Sequence, residues 1–375
     1  MKRLPTLSRT ALCLALFLIC SLSTAWSNVT LTPTSALKSK GITSRHFNMV
    51  SISPDNRYIC GYTREVKRIN NQPIGTTIMY ILPIMGNGAI GQVRAYNLEG
   101  ISRVEQACFT PDSRAVVFTT KAGATFIRLD IASGAMTTIM EHKKGQPGFR
   151  SYPEIIINSG REMIAQGYFY DANDFAGRNA IAVLDPYKTG ISAFTLANEI
   201  QKAQFSVRQQ NRVFTEIFPR KDIGFMTIHC DGHCLFYRWN AQKGVKCYDR
   251  SKELLGAWGG DSRLFYSTKR PDNTYDLCLF DGRTDIKTII TSGRSTPYTY
   301  LFLSADGRTA VFNDRDPRQG LTTIYYARES EGWKIHGIKG LSKHLASGAM
   351  RISDDGTKLL LHNSDGIRVI DIIGG

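Results

Sequence analysis

The sequence predicts an all-β fold, a seven-bladed β-propeller of four-stranded antiparallel blades. Three observations predict it. A short turn motif recurs along the chain at a spacing of about fifty residues. A second turn follows most copies about twenty residues later. Tyr, Phe, Ile and Thr are plentiful, and no long helical period interrupts them.

The first motif is clearest at Val50–Ile59, where apolar alternation runs into Ser53-Pro54-Asp55-Asn56-Arg57 and resumes at once. Pro presets φ, and Asp, Asn and Gly accept the tight conformations between two antiparallel strands. Taking Asp55 as reference, equivalent positions are Asp112, Ser159, Gln210, Asp261, Asp306 and Asp355. Ser159 and Gln210 belong to the most degenerate copies. The second turn follows Thr125–Leu129 at Asp130, Ala180–Leu184 at Asp185, Phe225–Cys230 at Asp231, Asp276–Phe280 at Asp281 and Ile324–Arg328 at Glu329. Each unit therefore reads as strand A, turn, strand B, loop, strand C, turn, strand D. The last unit supplies three strands, ending near Ile373. Val29-Thr30-Leu31-Thr32 is the expected fourth, which would close the ring and remove its edges.

The turns Ser53-Pro54-Asp55-Asn56-Arg57 and Ser304-Ala305-Asp306-Gly307-Arg308 match the signature of TolB-type and WD40-like (PD40 repeat) bacterial propellers, which the chain resembles over residues 46–373. The resemblance implies architecture and an exported protein, and it implies no particular activity. TolB carries a further domain ahead of its propeller, and prolyl-oligopeptidase relatives append a hydrolase domain. Neither is expected in this chain.

Residues 1–27 read as a secretory signal peptide: Lys2, Arg3 and Arg9, then the apolar Ala11–Leu22, then small residues. Residues 28–45 form an N-terminal segment with the closing strand, and 46–375 the propeller. A periplasmic or secreted location follows, with no transmembrane segment after cleavage. Removing the three basic residues brings the net charge from +15 to about +12. Outside the cytoplasm that balance favours an anionic glycan, lipid or acidic protein surface, and disfavours nucleic acid as a partner. Six cysteines remain after the signal, and an oxidising compartment favours disulfides among them.

Periodicity sorts the connections. A–B and C–D turns share one side of the ring, here the turn face; B–C and D–A connections share the other, the loop face. Binding is expected on the loop face. Its candidate residues are Arg64, Lys67 and Arg68 in blade one, and Tyr170, Asp171, Asp174, Phe175 and Arg178 in blade three. Blade four offers Arg220 and Lys221, blade five Lys269 and Arg270, and blade six Arg315 and Arg318. His229-Cys230-Asp231-Gly232-His233-Cys234 has metal-ligand residue types, but the repeat makes Asp231-Gly232 a C–D turn. A disulfide within Cys230, Cys234 and Cys247 is the expected use, and neither metal nor cofactor is expected. There is no Gly-x-Ser-x-Gly and no His-Glu-x-x-His, so no catalytic set is assigned. The reading is a non-catalytic scaffold for an envelope or periplasmic protein. The alternatives are a carbohydrate-active lyase or hydrolase working at the central channel, and a binder of anionic polymer or lipid.

Overall fold

The structure, a computed structural model, describes residues 29–33, 37, 42 and 47–372. Within 47–372 it omits 70–71, 102, 122, 144–145, 159–162, 171–177, 191, 196–213, 219–222, 231–232, 241–243, 252–253, 261, 317–320, 339–348 and 364–365. The described strands form seven four-stranded antiparallel sheets. Blade one is β2 (Asn48–Ile52), β3 (Tyr58–Ile69), β4 (Gln72–Pro83) and β5 (Arg94–Leu98). Blade two is β6 (Gln106–Phe109), β7 (Ala115–Thr120), β8 (Thr125–Asp130) and β9 (Met136–Glu141). Blade three is β10 (Gly148–Asn158), β11 (Met163–Tyr170), β12 (Arg178–Leu184) and β13 (Ser192–Thr195). Blade four is β14 (Phe214–Phe218), β15 (Ile223–Cys230), β16 (His233–Asn240) and β17 (Gly244–Ser251). Blade five is β18 (Leu254–Gly260), β19 (Arg263–Lys269), β20 (Tyr275–Asp281) and β21 (Ile286–Arg294). Blade six is β22 (Tyr298–Leu303), β23 (Thr309–Asp316), β24 (Leu321–Arg328) and β25 (Ile335–Gly337).

Blade seven has the order β1-β28-β27-β26, from β26 (Ala349–Ile352), β27 (Lys358–Asn363), β28 (Gly366–Asp371) and β1 (Val29–Pro33). The expected closing strand is present, with β1 antiparallel to β28 from Val29↔Ile370 to Pro33↔Gly366. Leu37, Ile42 and Phe47 cover the seam, packing with Ile59, Tyr80 and Leu82 of blade one and Leu360, Ile367 and Val369 of blade seven. The core lies between blades, where apolar faces of neighbouring sheets meet. No helix among the described residues is long and apolar enough to cross a membrane.

The signature turns behave as local chemistry dictates. Ser53 Oγ donates to Asp55 Oδ1 at 2.7 Å and accepts the Tyr58 N–H at 2.9 Å. Asn56, Ser113, Gly307 and Gly356 hold the left-handed position, with φ between 60° and 71°. Burial alone would raise the Asp55 pKa. Hydrogen bonds from Ser53 and Arg57 outweigh it and hold the carboxyl below its usual value. Turns also touch one another around the ring. The Asp55 N–H donates to Ser113 Oγ at 3.2 Å, and Asn56 Nδ2 donates to Asp355 Oδ2 at 2.7 Å across the seam. Arginines that recur beside these turns make ion pairs. Arg57 pairs with Asp55 at 2.7 Å, and Arg263 reaches Asp281 at 3.0 Å and Glu329 of the next blade at 2.6 Å.

Blade four departs from the expected register. Phe214–Phe218 is its first strand, so the degenerate repeat around Gln210, outside the described residues apart from Phe214, does not supply its A–B turn. Arg220 and Lys221, also outside the described residues, fall in the connection between first and second strands. Asp231-Gly232 joins the second strand to the third. The correction exchanges faces. The strand ends at His229–Cys230 and His233–Cys234 therefore belong to the loop face.

Candidate functional site

The loop face is where strands B and D end and strands C and A begin. Its most distinctive element is in blade one. Of residues 64–72, expected as a loop, 64–69 and 72 are instead strand. β3 and β4 pair without interruption from Tyr58↔Pro83 to Ile69↔Gln72. Each strand has 12 residues, against 6 for β7 and 6 for β8 in blade two. The six extra residues carry the ribbon about 20 Å further at ~3.3 Å per residue. Arg64, exposed, lies on β3, as do Lys67 and Arg68.

The other candidates divide. Lys269 ends β19, with its Nζ 5.5 Å from the Tyr275 ring centroid. The Arg270 guanidinium lies 3.8 Å from the buried Asp276 carboxylate. The Arg270–Thr274 loop is closed by its own hydrogen bonds. The Arg270 N–H donates to Thr274 O at 2.7 Å, Asn273 has φ 65°, and Asp272 Oδ1 accepts the Thr274 hydroxyl at 2.6 Å. Tyr170 stacks on His142 with centroids 5.2 Å apart and planes 21° apart. Burial, with Arg150 nearby, depresses the His142 pKa, so the ring is neutral at pH 7. Arg178 begins β12 and Arg315 lies in β23. Asp171, Asp174, Phe175 and Arg318 lie outside the described residues.

The register also places the cysteines of the expected disulfide. Cys230 stands opposite His233, and Cys234 opposite His229. The two cysteines are thus one rung out of step, where the expected disulfide would have them face one another across a turn. Cys247 stands opposite Tyr237 on the next strand. Cys60, Cys108 and Cys278 are buried thiols. Burial pushes the Cys60 thiol pKa upward, far from reactive range. Among the described residues no group of His, Cys, Asp and Glu is arranged to hold a metal ion.

A constellation that the sequence does not disclose sits between blades five and six. Arg294 ends β21, Tyr298 begins β22, and Asp314 stands opposite Tyr298 on β23. The Arg294 guanidinium donates to Asp314 Oδ2 at 2.5 Å and to the Tyr298 hydroxyl at 2.8 Å, and lies 4.1 Å from the Tyr298 ring centroid. Burial lowers the Arg294 pKa, but hydrogen bonding to Asp314 outweighs it and the net shift is upward. The cation is therefore permanent. Beneath it Phe312 is fully buried among Tyr298, Phe265 and Tyr325, at centroid distances of 4.7, 5.6 and 5.7 Å. The buried Asp314 Oδ1 finds no hydrogen-bond partner among the described residues, nor does the Ser267 hydroxyl on neighbouring β19. Such a spot has unmet hydrogen-bonding capacity, which a ligand or water satisfies.

One more exposed residue lies on the first strand of blade six. β22 carries a bulge between Thr299 and Phe302, and Tyr300 within it has φ 49° and is 60% exposed. For a bulky residue that backbone costs about 1–2 kcal/mol. On adjacent β26, burial depresses the Arg351 pKa, and its guanidinium lies 6.0 Å from the Phe302 ring centroid.

No family model matches the chain, and no curated protein matches it in sequence. Solved structures do match in fold. An oligogalacturonate lyase in complex with manganese aligns over 93% of this chain and 94% of its own, at 12% identity and a TM-score of 0.59. The acylaminoacyl peptidase of Pyrococcus horikoshii aligns over 88% of this chain and 52% of its own, at 11% identity and 0.55. The β-propeller domain of Myceliophteria thermophila Cps50 (Swd1) aligns over 92% and 99%, at 11% identity and 0.51. Together with the seven sheets, these likenesses show that the chain is a β-propeller.

Proposed function

We propose that the protein is an exported β-propeller of TolB-like type that binds an envelope or periplasmic protein through its loop face. The observation that carries the reading is the β3–β4 ribbon. β3 and β4 pair over twelve rungs where β7 and β8 pair over six, so the ribbon runs well past the length that completes the sheet of blade two. It extends from the same face that carries Lys269, Arg270 and the Arg294–Asp314 pair. An excess of 47 Lys and Arg over 32 Asp and Glu suits an acidic partner surface. The turn signature and the leader-like residues 1–27 support export.

The test trims the ribbon. Residues 65–76 are replaced by Asn-Gly, which joins Arg64 directly to Thr77, its register partner. Partners captured from envelope extract by the mature wild-type chain are then compared with those of the trimmed chain and of a charge-reversed chain. The latter carries Glu at Arg64, Lys67, Arg68, Arg315 and Arg318. Affinity for the wild-type partner is expected to fall at least tenfold in both, about 1.4 kcal/mol. Unchanged capture by both would show that this face is the wrong one.

A further inference from the structure

We propose that the channel mouth at blades six and seven binds an acidic oligosaccharide, with the Tyr300 ring as stacking surface and Arg351 as counter-charge. The inference concerns the ring axis and does not depend on the protein-partner reading of the ribbon.

Topology points Tyr300 at the channel. β22 is the innermost strand of blade six, bonded along one edge to β23. Its flanks meet β18 of blade five and β26 of blade seven. The open direction is the axis. A bulge re-aims a side chain. This one takes an aromatic residue off the packed faces, where Tyr298 and Phe302 remain, and leaves it 60% exposed. A strained backbone holding a bulky apolar ring in water costs stability twice, so a binding role is its natural explanation. The other left-handed residues with side chains on the signature turns, Asn56 and Ser113, are small and polar and need no such explanation.

The surroundings choose the ligand. An exposed phenol ring presents a flat apolar surface suited to the C–H face of a pyranose. Hydroxyls around such a sugar need donors and acceptors within reach. Two residues before Tyr300, Tyr298 belongs to the Arg294–Tyr298–Asp314 group, which holds both, with the buried Asp314 Oδ1 still lacking a hydrogen-bond partner among the described residues. Arg351 and the overall excess of basic residues favour carboxylated or sulfated sugars over neutral ones. A channel along the axis admits a chain of sugars end-on.

The experiment is a calorimetric titration of the mature chain at low salt with hexagalacturonate, a heparin-derived hexasaccharide and maltohexaose. At least one acidic hexasaccharide is expected to bind, and at least tenfold more tightly than maltohexaose. Tyr300→Ala is expected to weaken that binding tenfold or more. Tyr300→Phe keeps the ring and stays within about threefold. Arg351→Gln is expected to erase the preference for acidic over neutral sugar. Tyr300→Gly, which suits the positive φ, serves as the folded control: it is expected to melt no lower than wild type and still lose binding. Failure of both acidic sugars to bind, or wild-type affinity in Tyr300→Ala, would overturn the proposal. Either result leaves the ribbon experiment unaffected.

Discussion

Phe312→Ala unfolds in urea with about 3–5 kcal/mol less stability than wild type, the range expected when a fully buried phenylalanine leaves a cavity. Domains of this kind have roughly 5–15 kcal/mol in total, so the variant approaches the unfolding threshold. The site predicts the upper part of the range. Phe312 is the shared neighbour of Phe265, Tyr298 and Tyr325, drawn from strands of two blades. Those rings are fixed by β-sheet backbones on either side, so the void cannot collapse freely. The loss also propagates to the loop face. Tyr298 is held between Phe312 and the Arg294 guanidinium, and a loosened Tyr298 frees the Arg294–Asp314 pair. Phe312→Leu, which retains most of the volume, is expected to lose less than half as much. An unfolding free energy for Phe312→Ala within about 1 kcal/mol of wild type would mean that blades five and six are not packed as described.

Deleting residues 28–33 is expected to have the second large effect. The β28 edge then loses five register partners and stands open at the side of the ring. Ile367, Val369 and Ile370, now at most 2% exposed, gain access to water or to another chain. The seam cluster of Leu37, Ile42 and Phe47 also loses its anchor. Exposing even two aliphatic side chains costs about 3–6 kcal/mol. The truncated chain should melt well below the full one and elute as larger species at micromolar concentration, because an open apolar edge recruits strands. A monomer that melts within a degree or two of the full chain would contradict the closure.

Much of the fold is legible in the amino-acid sequence. Ser53-Pro54-Asp55-Asn56-Arg57 can be read because a turn is local: its hydrogen bonds run from Ser53 and Asp55 to residues within five positions. The closing strand follows from counting strands in the last unit. Blade four defeats the repeat because it lacks the Pro-Asp or Asp-Gly pair that marks the first turns of blades one, two, six and seven. The nearest Asp-Gly, at 231–232, belongs to a different connection. The ribbon misleads for the opposite reason. Arg64-Glu65-Val66-Lys67-Arg68 is polar enough to look like loop, yet pairing extends through it, since a two-stranded ribbon in water need not bury either face. The Arg294–Tyr298–Asp314 group is out of reach of sequence reasoning, because three strands in two blades assemble it and no spacing in the chain announces it. Tyr300 carries a signal only in its backbone, a positive φ at a residue type that avoids it.

Strand order within each blade sets the face assignments, and closure by β1 is what makes the seven blades a ring. The most direct test pairs cysteines across it. Leu31 and Arg368 are register partners, whereas Leu31 and Ile370 are two rungs apart. Cys60, Cys108 and Cys278 are too buried to compete, and Cys230, Cys234 and Cys247 are replaced by Ser in the chain used. A short bifunctional thiol reagent applied to the folded mature chain should join the Leu31→Cys/Arg368→Cys pair in high yield, with the linked peptides identified by mass spectrometry. The Leu31→Cys/Ile370→Cys pair should react little. Absence of the first link in a folded monomer, or equal yields from both pairs, would contradict a ring closed in this register.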